Sequence, residues 1–396
     1  MASEPLILTV ELDGEQKIYS LYKGITRKLT IACSSDNNIV QAKIDFGGER
    51  RVEELSDSTE GVIYVVEKVL KDYGYATQES PISGIGIKVA APGSRFLTHE
   101  FISSERLKAL KDTQQFSEGA IQFIVHEVQQ IQKVFAGVPI FGVSDTAYHA
   151  HKSDAAWNYD INLTVADRYE IKRFGYNGLS NESAIQILGR HRVLEQKVII
   201  CHLGKNYSVT AIMNGKSINT STGISPQEGV LSAYVSSDIS LSALKTIALK
   251  TNTSLDVVIE EQCLNGGIQG VAGTNDTISA LLIKEKKGDY RAKLALEMLV
   301  ESIQKHIAHM VIELGGVDQL VFTGEDGIML PTLRKRIVEK LDFLGLAIDS
   351  TKNKLKSAPE IPAKIHQRTR VKSIYVVTTD ESLEIAWRTR KALTRG

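Results

Sequence analysis

The sequence predicts an α/β fold of two related lobes that face each other across a cleft. Three β-rich runs near the start, "LILTVEL", "KIYSLYK" and "KLTIACSS", are separated by glycine turns and indicate a meander. The plan recurs from Lys197 as "KVIICHL", "YSVTAIMNG" and "KSINTSTG". In both copies a leucine precedes a turn glycine by twelve residues, Leu12 before Gly24 and Leu203 before Gly215. A duplicated meander followed by αβα units is typical of paired α/β lobes with a ligand site between them.

Each meander is followed by segments with helical periodicity. The first copy predicts a helix in "STEGVIYVVEKVLKDYG", a buried strand in "SGIGIKVAAPG", a helix over 117–135 and the strand "VPIFGVSD". The second predicts helices over 240–263, 276–284 and 290–314, then the strand "DQLVFT", the helix "PTLRKRIVEKLDFLG" and a last strand in "KSIYVVTT". On this pattern alone, a simpler arrangement of two α/β domains without a shared site stays open.

Composition describes an ordinary globular chain. It has 396 residues, 42% of them hydrophobic, with 47 Lys plus Arg against 47 Asp plus Glu. The zero net charge gives no global field that favours nucleic acid or an anionic membrane. Cys33, Cys201 and Cys263 lie far apart, without the spacing of a disulfide framework or a zinc site. With no signal-peptide pattern and no apolar run near ~18 residues, we expect a reduced, cytoplasmic protein without nucleic-acid or membrane partners.

Several segments resemble, in order and spacing, those of acetate kinases. They are "VSDTAYHAH" (143–151), "RFGYNGLSN" (173–181), "VIICHLGKNYSVTAIMNGKSINTSTGISPQEG" (198–229), "VFTGEDGIMLPTLRKRI" (321–337) and "VVTTDESLEIA" (376–386). The resemblance implies the actin, hexokinase and Hsp70-like phosphotransferase superfamily, with two duplicated ribonuclease-H-like lobes around a central cleft and a homodimer. It also implies Mg²⁺-dependent transfer of the γ-phosphoryl group of ATP to acetate, which gives ADP and acetyl phosphate.

The resemblance suggests three segments along the chain. Residues 1–147 would form an N-terminal lobe with the first meander, and residues 148–370 a C-terminal lobe with the nucleotide side and the dimer contacts. Residues 371–396 would supply a strand and a helix that return to the N-terminal lobe.

Two carboxylates of the family pattern are present. Asp145 in "SDTAYH" matches the aspartate beside the transferring phosphoryl group, and Glu381 in "TTDESLEIA" matches the glutamate associated with Mg²⁺. Mg²⁺ is usually held by one or two carboxylates together with waters and phosphates, so both are candidate metal ligands. The alternatives are an N-cap or a lobe-joining hydrogen bond for Asp145, and a solvated helix start for Glu381.

Other catalytic positions depart from the family pattern. Lys88 in "GIKVAAPG" replaces an arginine, Val235 replaces a second arginine, and Asn177 in "FGYNGLSN" replaces a histidine. A second family histidine, in "APLHNP", has no counterpart. Glu11 stands for the asparagine of the "NxGSSS" phosphate loop, whose hydroxyls become residues 13–16, "DGEQ". A lysine keeps the charge of arginine but loses its bidentate fork, and an amide donates a hydrogen bond without being a cation. Lys88, Asn177 and Asp145 remain the candidate catalytic residues.

The nucleotide side keeps more of its pattern. The candidate nucleotide-binding residues lie in "HLGKNYS" and "TGEDG": His202, Gly204, Asn206, Ser208, Thr323, Gly324 and Gly327. Lys205 adds a cation, whereas Glu325 and Asp326 replace apolar or glycine positions. Retained turn geometry after loss of the ligand would explain the glycines equally well.

These observations support two hypotheses. In the first, the chain is a pseudoenzyme that has lost ordinary ATP:acetate phosphotransferase activity, keeps possible ATP/ADP and Mg²⁺ binding, and has a structural or regulatory role. In the second, it is an active carboxylate kinase with a rebuilt site or an altered substrate, which uses Lys88, Asn177, Asp145 and Glu381. A scaffold without any cofactor is a third possibility. The sequence does not name a protein partner.

Overall fold

The chain divides into two compact units. One contains residues 1–147 together with 380–396, and the other contains residues 148–379. The computed structural model describes residues 4–13, 16–36, 39–56, 62–114, 118–233, 236, 238–355 and 357–395. Within the described residues, no helix is long and apolar enough to cross a membrane.

The strands and helices have the following bounds. The strands are β1 Leu6–Asp13, β2 Gln16–Lys23, β3 Thr26–Asp36, β4 Ile39–Phe46, β5 Glu49–Ser56, β6 Ile82–Val89, β7 Glu100–Phe101, β8 Ile140–Ser144, β9 Lys197–His202, β10 Ser208–Met213, β11 Lys216–Thr220, β12 Gln319–Thr323, β13 Ala363–Lys364 and β14 Ser373–Val376. The helices are α1 Val62–Asp72, α2 Ser104–Asp112, α3 Glu118–Val134, α4 Asp154–Trp157, α5 Leu163–Arg168, α6 Gly178–Arg190, α7 Leu241–Thr251, α8 Leu255–Asn265, α9 Gly267–Ala272, α10 Ile278–Lys286, α11 Tyr290–Leu314, α12 Glu325–Met329, α13 Pro331–Glu339 and α14 Glu381–Leu393.

The two units repeat one sheet topology. The first has the strand order β5-β4-β3-β2-β1-β6-β8-β7, and the second has β11-β10-β9-β12-β14-β13. Within each, an antiparallel meander (β1–β3 or β9–β11) is extended by two parallel strands (β6 and β8, or β12 and β14). The shared order 3-2-1-4-5 is the duplication that the sequence predicts. The turn glycines Gly24 and Gly215 both have positive φ, 63° and 77°, which explains glycine at both positions.

Helices pack against each sheet through buried apolar residues. In the first unit, α1 and α3 pack with the sheet around side chains such as Val10, Ile87, Val66 and Val128. In the second unit, the long helix α11 packs against β9 and β10, and its residues Leu296, Leu299, Ile303 and Ile307 are fully buried. The short apolar strands of the sequence are therefore buried because helices cover them, as in other α/β proteins.

The last segment differs from the expectation for residues 371–396. Strand β14 pairs in parallel with β12, Leu320 beside Ile374, and so belongs to the sheet of the second unit. Only residues 380–396, with helix α14, belong to the first unit. The prediction that the strand returns to the first lobe is wrong, because its buried residues complete the sheet next to β12. The sequence also did not predict β4 and β5, which extend the first meander.

Candidate functional site

Three side chains of the first unit meet at the ends of its parallel strands. Strand β6 runs between β1 and β8, with Ile87 beside Val10 and Lys88 beside Val143. Glu11 near the end of β1, Lys88 near the end of β6 and Asp145 just after β8 are thereby brought together. This edge, at the carboxyl ends of parallel strands, is where α/β folds usually bind ligands.

Helix α14 supplies the fourth residue of this cluster. An ideal Cβ on Gly86 would lie 2.2 Å from Thr389 Oγ1 and 2.6 Å from Ile385 Cγ2, so the glycine lets α14 lie directly on β6. Because side chains alternate along a strand, Lys88 points to the same face as Gly86. The alternation in "GIGIK" therefore has two effects. The glycine allows α14 to pack closely on β6, and Lys88 points towards Glu381, the first residue of α14.

Lys88 is held by carboxylates. Its Nζ lies 2.5 Å from Glu381 Oε2 and 3.9 Å from Asp145 Oδ1. Asp145 is almost fully buried, whereas the side chains of Lys88 and Glu381 are 21% and 17% exposed. Burial alone would lower the pKa of Lys88, but the charges of Asp145 and Glu381 outweigh it and raise that pKa well above its ordinary value. Glu381 begins α14, as the alternative of a helix start has it, but its carboxylate is paired with Lys88 and is only partly exposed.

Glu11 is a buried carboxyl group beside this ion pair. It accepts a hydrogen bond from Ser382 Oγ on the first turn of α14. Burial, together with the nearby charge of Glu381, raises the pKa of Glu11 to about 7, although Ser382 and Lys88 act in the opposite direction. Glu11, which the resemblance predicts to stand in a phosphate loop, is therefore an acid whose hydrogen bond is made within the protein.

Two contacts around this cluster were not predicted from the sequence. Asp380 caps α14 by accepting from Leu383 N at 2.9 Å, and it pairs with Arg27 Nη2 at 2.6 Å. His99 Nδ1 accepts from Ser144 N at 3.0 Å, one residue before Asp145, and burial lowers the pKa of His99 to about 3, so it is a neutral acceptor. The Arg27–Asp380 pair and the His99–Ser144 contact join residues distant in sequence, whereas the Asp380 cap of α14 is local and carries a sequence signal.

In the second unit, Asn177 lies at the start of α6. Its backbone is left-handed, with φ 60°, a conformation that asparagine tolerates. Its Nδ2 donates to Ser208 Oγ at 3.0 Å and to Asn206 O at 3.2 Å. Residues predicted from two separate motifs are therefore in direct contact, and the Asn177 amide donates to the loop that contains Asn206 and Ser208.

A row of hydroxyl groups joins His202 to Thr323. Ser180 Oγ lies 2.9 Å from His202 Nδ1 and 3.2 Å from Thr379 Oγ1, and Thr379 Oγ1 lies 3.3 Å from Thr323 Oγ1. His202 and Thr323 end the adjacent parallel strands β9 and β12. Ser180 and Thr379 were not predicted as members of this site, because their contacts depend on the sheet register.

The loops 203–208 and 323–328, which the resemblance predicts to bind a nucleotide, are in close backbone contact. Leu203 N donates to Thr323 O at 2.8 Å, and Gly327 N donates to Leu203 O at 3.1 Å. Gly324 has φ 79°, and an ideal Cβ there would lie 2.6 Å from the Leu203 carbonyl group and 2.8 Å from Gly204 N. Glycine is therefore required at 324 by the packing of the protein itself.

Some predicted positions lie outside the part of the chain that the structure describes. Gly14, Glu15 and Val235 lie outside the described residues, as does the side chain of Asp13. Among the described residues, no group of three or more His, Cys, Asp and Glu side chains is arranged to hold a metal ion.

Comparison with known proteins agrees with the fold and the motifs. The acetokinase family model matches residues 13–387. An acetate kinase of Caldanaerobacter subterraneus subsp. tengcongensis is 30% identical, over 94% of this chain and 92% of that protein. An acetate kinase of Bacillus cytotoxicus is 28% identical, over 92% and 91%. The crystal structure of a propionate kinase from Francisella tularensis superposes with a TM-score of 0.88 at 25% identity, over 98% of this chain and 99% of that one. The two-lobed α/β fold is thus that of the acetate and propionate kinases, and the chain belongs to the acetokinase family.

Proposed function

We propose that this protein has lost ordinary ATP:acetate phosphotransfer and uses the acetate kinase fold in a structural or regulatory role. The observation that carries the proposal is the cluster in the first unit, where Glu11, Asp145 and Glu381 surround the ammonium group of Lys88. Phosphoryl transfer needs cations and hydrogen-bond donors directed at the phosphoryl oxygens. In this cluster the cation is already paired, and the surplus of carboxylates disfavours an anionic group.

The energetic effect of these charges is large. At ~4 Å and an effective dielectric constant of about 20, a like charge beside a phosphate costs on the order of 4 kcal/mol. Loss of one arginine that stabilises the transition state can slow a comparable transfer by ~10³-fold or more. Lys88 replaces the fork of an arginine by a single ammonium group, which cannot bind a phosphoryl group and a carboxylate in bidentate fashion. These effects act together against turnover.

Mg²⁺ fits the remaining carboxylates only in part. Asp145 and Glu381 are oxygen ligands of the right type, and two protein carboxylates suffice where phosphates and waters complete the shell. The Glu381 carboxylate, however, lies 2.5 Å from Lys88 Nζ, so a metal ion there must compete with the ammonium group. If Mg²⁺ and ATP or ADP bind, these two residues would hold the metal, and it would supply charge neutralisation at the phosphates.

A working carboxylate kinase is the second candidate. It is favoured by the positions of Lys88 and Asp145 side by side at the ends of β6 and β8, which retain a cation and a carboxylate where the family has them. In this case ATP and a short-chain carboxylate would give ADP and an acyl phosphate, with Lys88, Asn177 and Asp145 as catalytic residues and Glu381 as metal ligand.

A coupled assay of ADP release separates the two candidates. The protein is incubated with MgATP and acetate, propionate or butyrate, beside an acetate kinase as positive control. We expect no carboxylate-dependent ADP release above background. Release that Asp145→Ala abolishes would refute the proposed loss of activity.

A second experiment restores residues of the family pattern. Glu11→Asn combined with Val235→Arg replaces an acid by an amide and adds a cation. We expect calorimetry to show tighter MgATP binding than in the parent protein. Glu79→Asn, which changes an exposed glutamate outside the cluster, is the control. Equal affinity in the parent and the double variant would contradict the electrostatic account.

We also infer a homodimer in the cytoplasm. Large apolar side chains on two helices of the second unit are exposed, among them Leu241 and Leu249 on α7 and Ile312 on α11, and a partner subunit would cover such side chains. Cys33 and Cys201 are buried free thiols, in keeping with a reducing compartment. Sedimentation velocity at several protein concentrations tests the dimer, and a single monomeric species would contradict it.

A further inference from the structure

Tyr207 and Asp326 form a bond between the loops 203–208 and 323–328. Tyr207 lies in "GKNYS" and Asp326 lies in "TGEDG", one in each of the two predicted nucleotide-binding loops. The Tyr207 hydroxyl group donates to Asp326 Oδ2. Two residues 119 positions apart therefore form one contact between the loops.

The setting of this contact makes it strong. The Tyr207 side chain is 5% exposed and packs in the apolar core of the second unit, and only its hydroxyl group needs a partner. Burial raises the pKa of Asp326 and that of Tyr207, so each polar group would be costly to leave unpaired at this depth. A hydrogen bond from a phenol to a carboxylate is charge-assisted, and such bonds are among the stronger ones in proteins.

The bond also closes a ring of contacts between the loops. Their backbones are already joined through Leu203, which donates to Thr323 O and accepts from Gly327 N. Arg334 Nη1 donates to Gly327 O at 2.7 Å, so a third residue also holds the second loop. Tyr207 and Asp326 add the side-chain connection that the backbone contacts lack.

We propose that the Tyr207–Asp326 bond fixes the loops 203–208 and 323–328 to each other without a ligand, so that no nucleotide is needed to order the two segments that the resemblance predicts to bind it. The inference rests on the proposed function, because a protein that does not turn over nucleotides does not need these loops to separate. It goes beyond the proposed function because it names the contact that orders these loops in the absence of a ligand. It predicts that MgADP leaves the order of these loops unchanged.

A double-mutant cycle measures the bond. Urea unfolding of the parent chain is compared with Tyr207→Phe, Asp326→Ala and the double variant. We expect each single change to weaken the folding equilibrium about tenfold, with a coupling of about tenfold, or 1.4 kcal/mol, in the double variant. Tyr148→Phe is the matched control, because it removes a tyrosine hydroxyl group that donates to Gly215 O in the same unit. Tyr148→Phe and Asp326→Ala should be additive. Additivity of Tyr207→Phe and Asp326→Ala would overturn the proposal.

Hydrogen exchange tests whether the loops are ordered without a ligand. The amides of Leu203 and Gly327 report directly on the joined loops. We expect strong protection in the free protein, no change with MgADP, and about tenfold faster exchange of Gly327 in Tyr207→Phe. Weak protection that MgADP increases would overturn the proposal.

The two proposals can fail separately. If MgADP increases protection while the coupled assay shows no turnover, the loop inference is wrong and the loss of activity stands. If carboxylate-dependent ADP release is found, the proposed function is wrong, whatever the cycle shows.

Discussion

The replacement Glu11→Gln provides a direct test of the buried cluster. Glutamine has the shape of a protonated glutamic acid and cannot ionise, so it isolates the effect of the negative charge. In the parent protein, Glu11 is covered by α14, accepts from Ser382 and lies near Glu381. The variant should keep these contacts and remove only the ionised form.

The size of the effect follows from the pKa. The folded protein raises the pKa of Glu11 from 4.5 to about 7. At 1.36 kcal/mol for each pKa unit, the ionised form is disfavoured in the folded state by about 3 kcal/mol. Below pH 4.5 the carboxyl group is protonated in both states and causes no difference. As pH rises from 4.5 to 7 the unfolded chain ionises first, so the free energy of unfolding falls by this amount.

The assay is urea unfolding at several pH values between 4.5 and 8. At pH 8 we expect Glu11→Gln to be more stable than the parent by up to about 3 kcal/mol, and at pH 4.5 the two should be equal. Glu79→Gln, at an exposed position, should follow the parent at every pH. If Glu11→Gln showed the same pH dependence as the parent, or were the less stable protein at pH 8, the account of a destabilised buried carboxylate would be wrong.

Two further predictions concern packing and buried polar contacts. In Gly86→Ala the new Cβ would lie 2.2 Å from Thr389 Oγ1, so we expect a loss of about 1–3 kcal/mol in the free energy of unfolding. The control is Gly119→Ala, where the new Cβ would have no atom within 4 Å. Equal effects of the two replacements would contradict the close approach of α14. Arg334 is fully buried and donates to backbone carbonyls of α12 and to Asn353, so Arg334→Met should cost roughly 3 kcal/mol or more in denaturant unfolding by leaving these acceptors unpaired. A loss below about 1 kcal/mol would show that the acceptors find other donors.

The sequence predicted most of the architecture because its signals are periodic and local. Alternation in the meander strands, the helical pattern of 290–314 and the turn glycines Gly24 and Gly215 each follow from a few neighbouring residues. The sequence indicates the duplication because both copies have a turn glycine at the same spacing. Strand β14 was assigned to the wrong lobe because a short apolar strand carries no information about its neighbour in the sheet.

The site was predictable only as a set of positions. The resemblance to family motifs predicts Lys88, Asp145, Glu381 and Asn177 as site residues, and their residue types predict the chemistry proposed for them. That Lys88 is paired with Glu381, and that Glu11 is buried against Ser382, depends on α14 lying on β6. These pairs connect residues more than 290 positions apart, so no local pattern could contain them.

The sequence by itself determined the fold and the family, because both follow from periodic patterns and from motifs spread along the chain. The tertiary structure decided which groups neutralise one another, because an ion pair or a buried hydrogen bond depends on distance and solvent access. Tyr207 and Asp326 illustrate the difference: in the sequence they are two residues of separate motifs, and in the folded protein they are donor and acceptor of one bond.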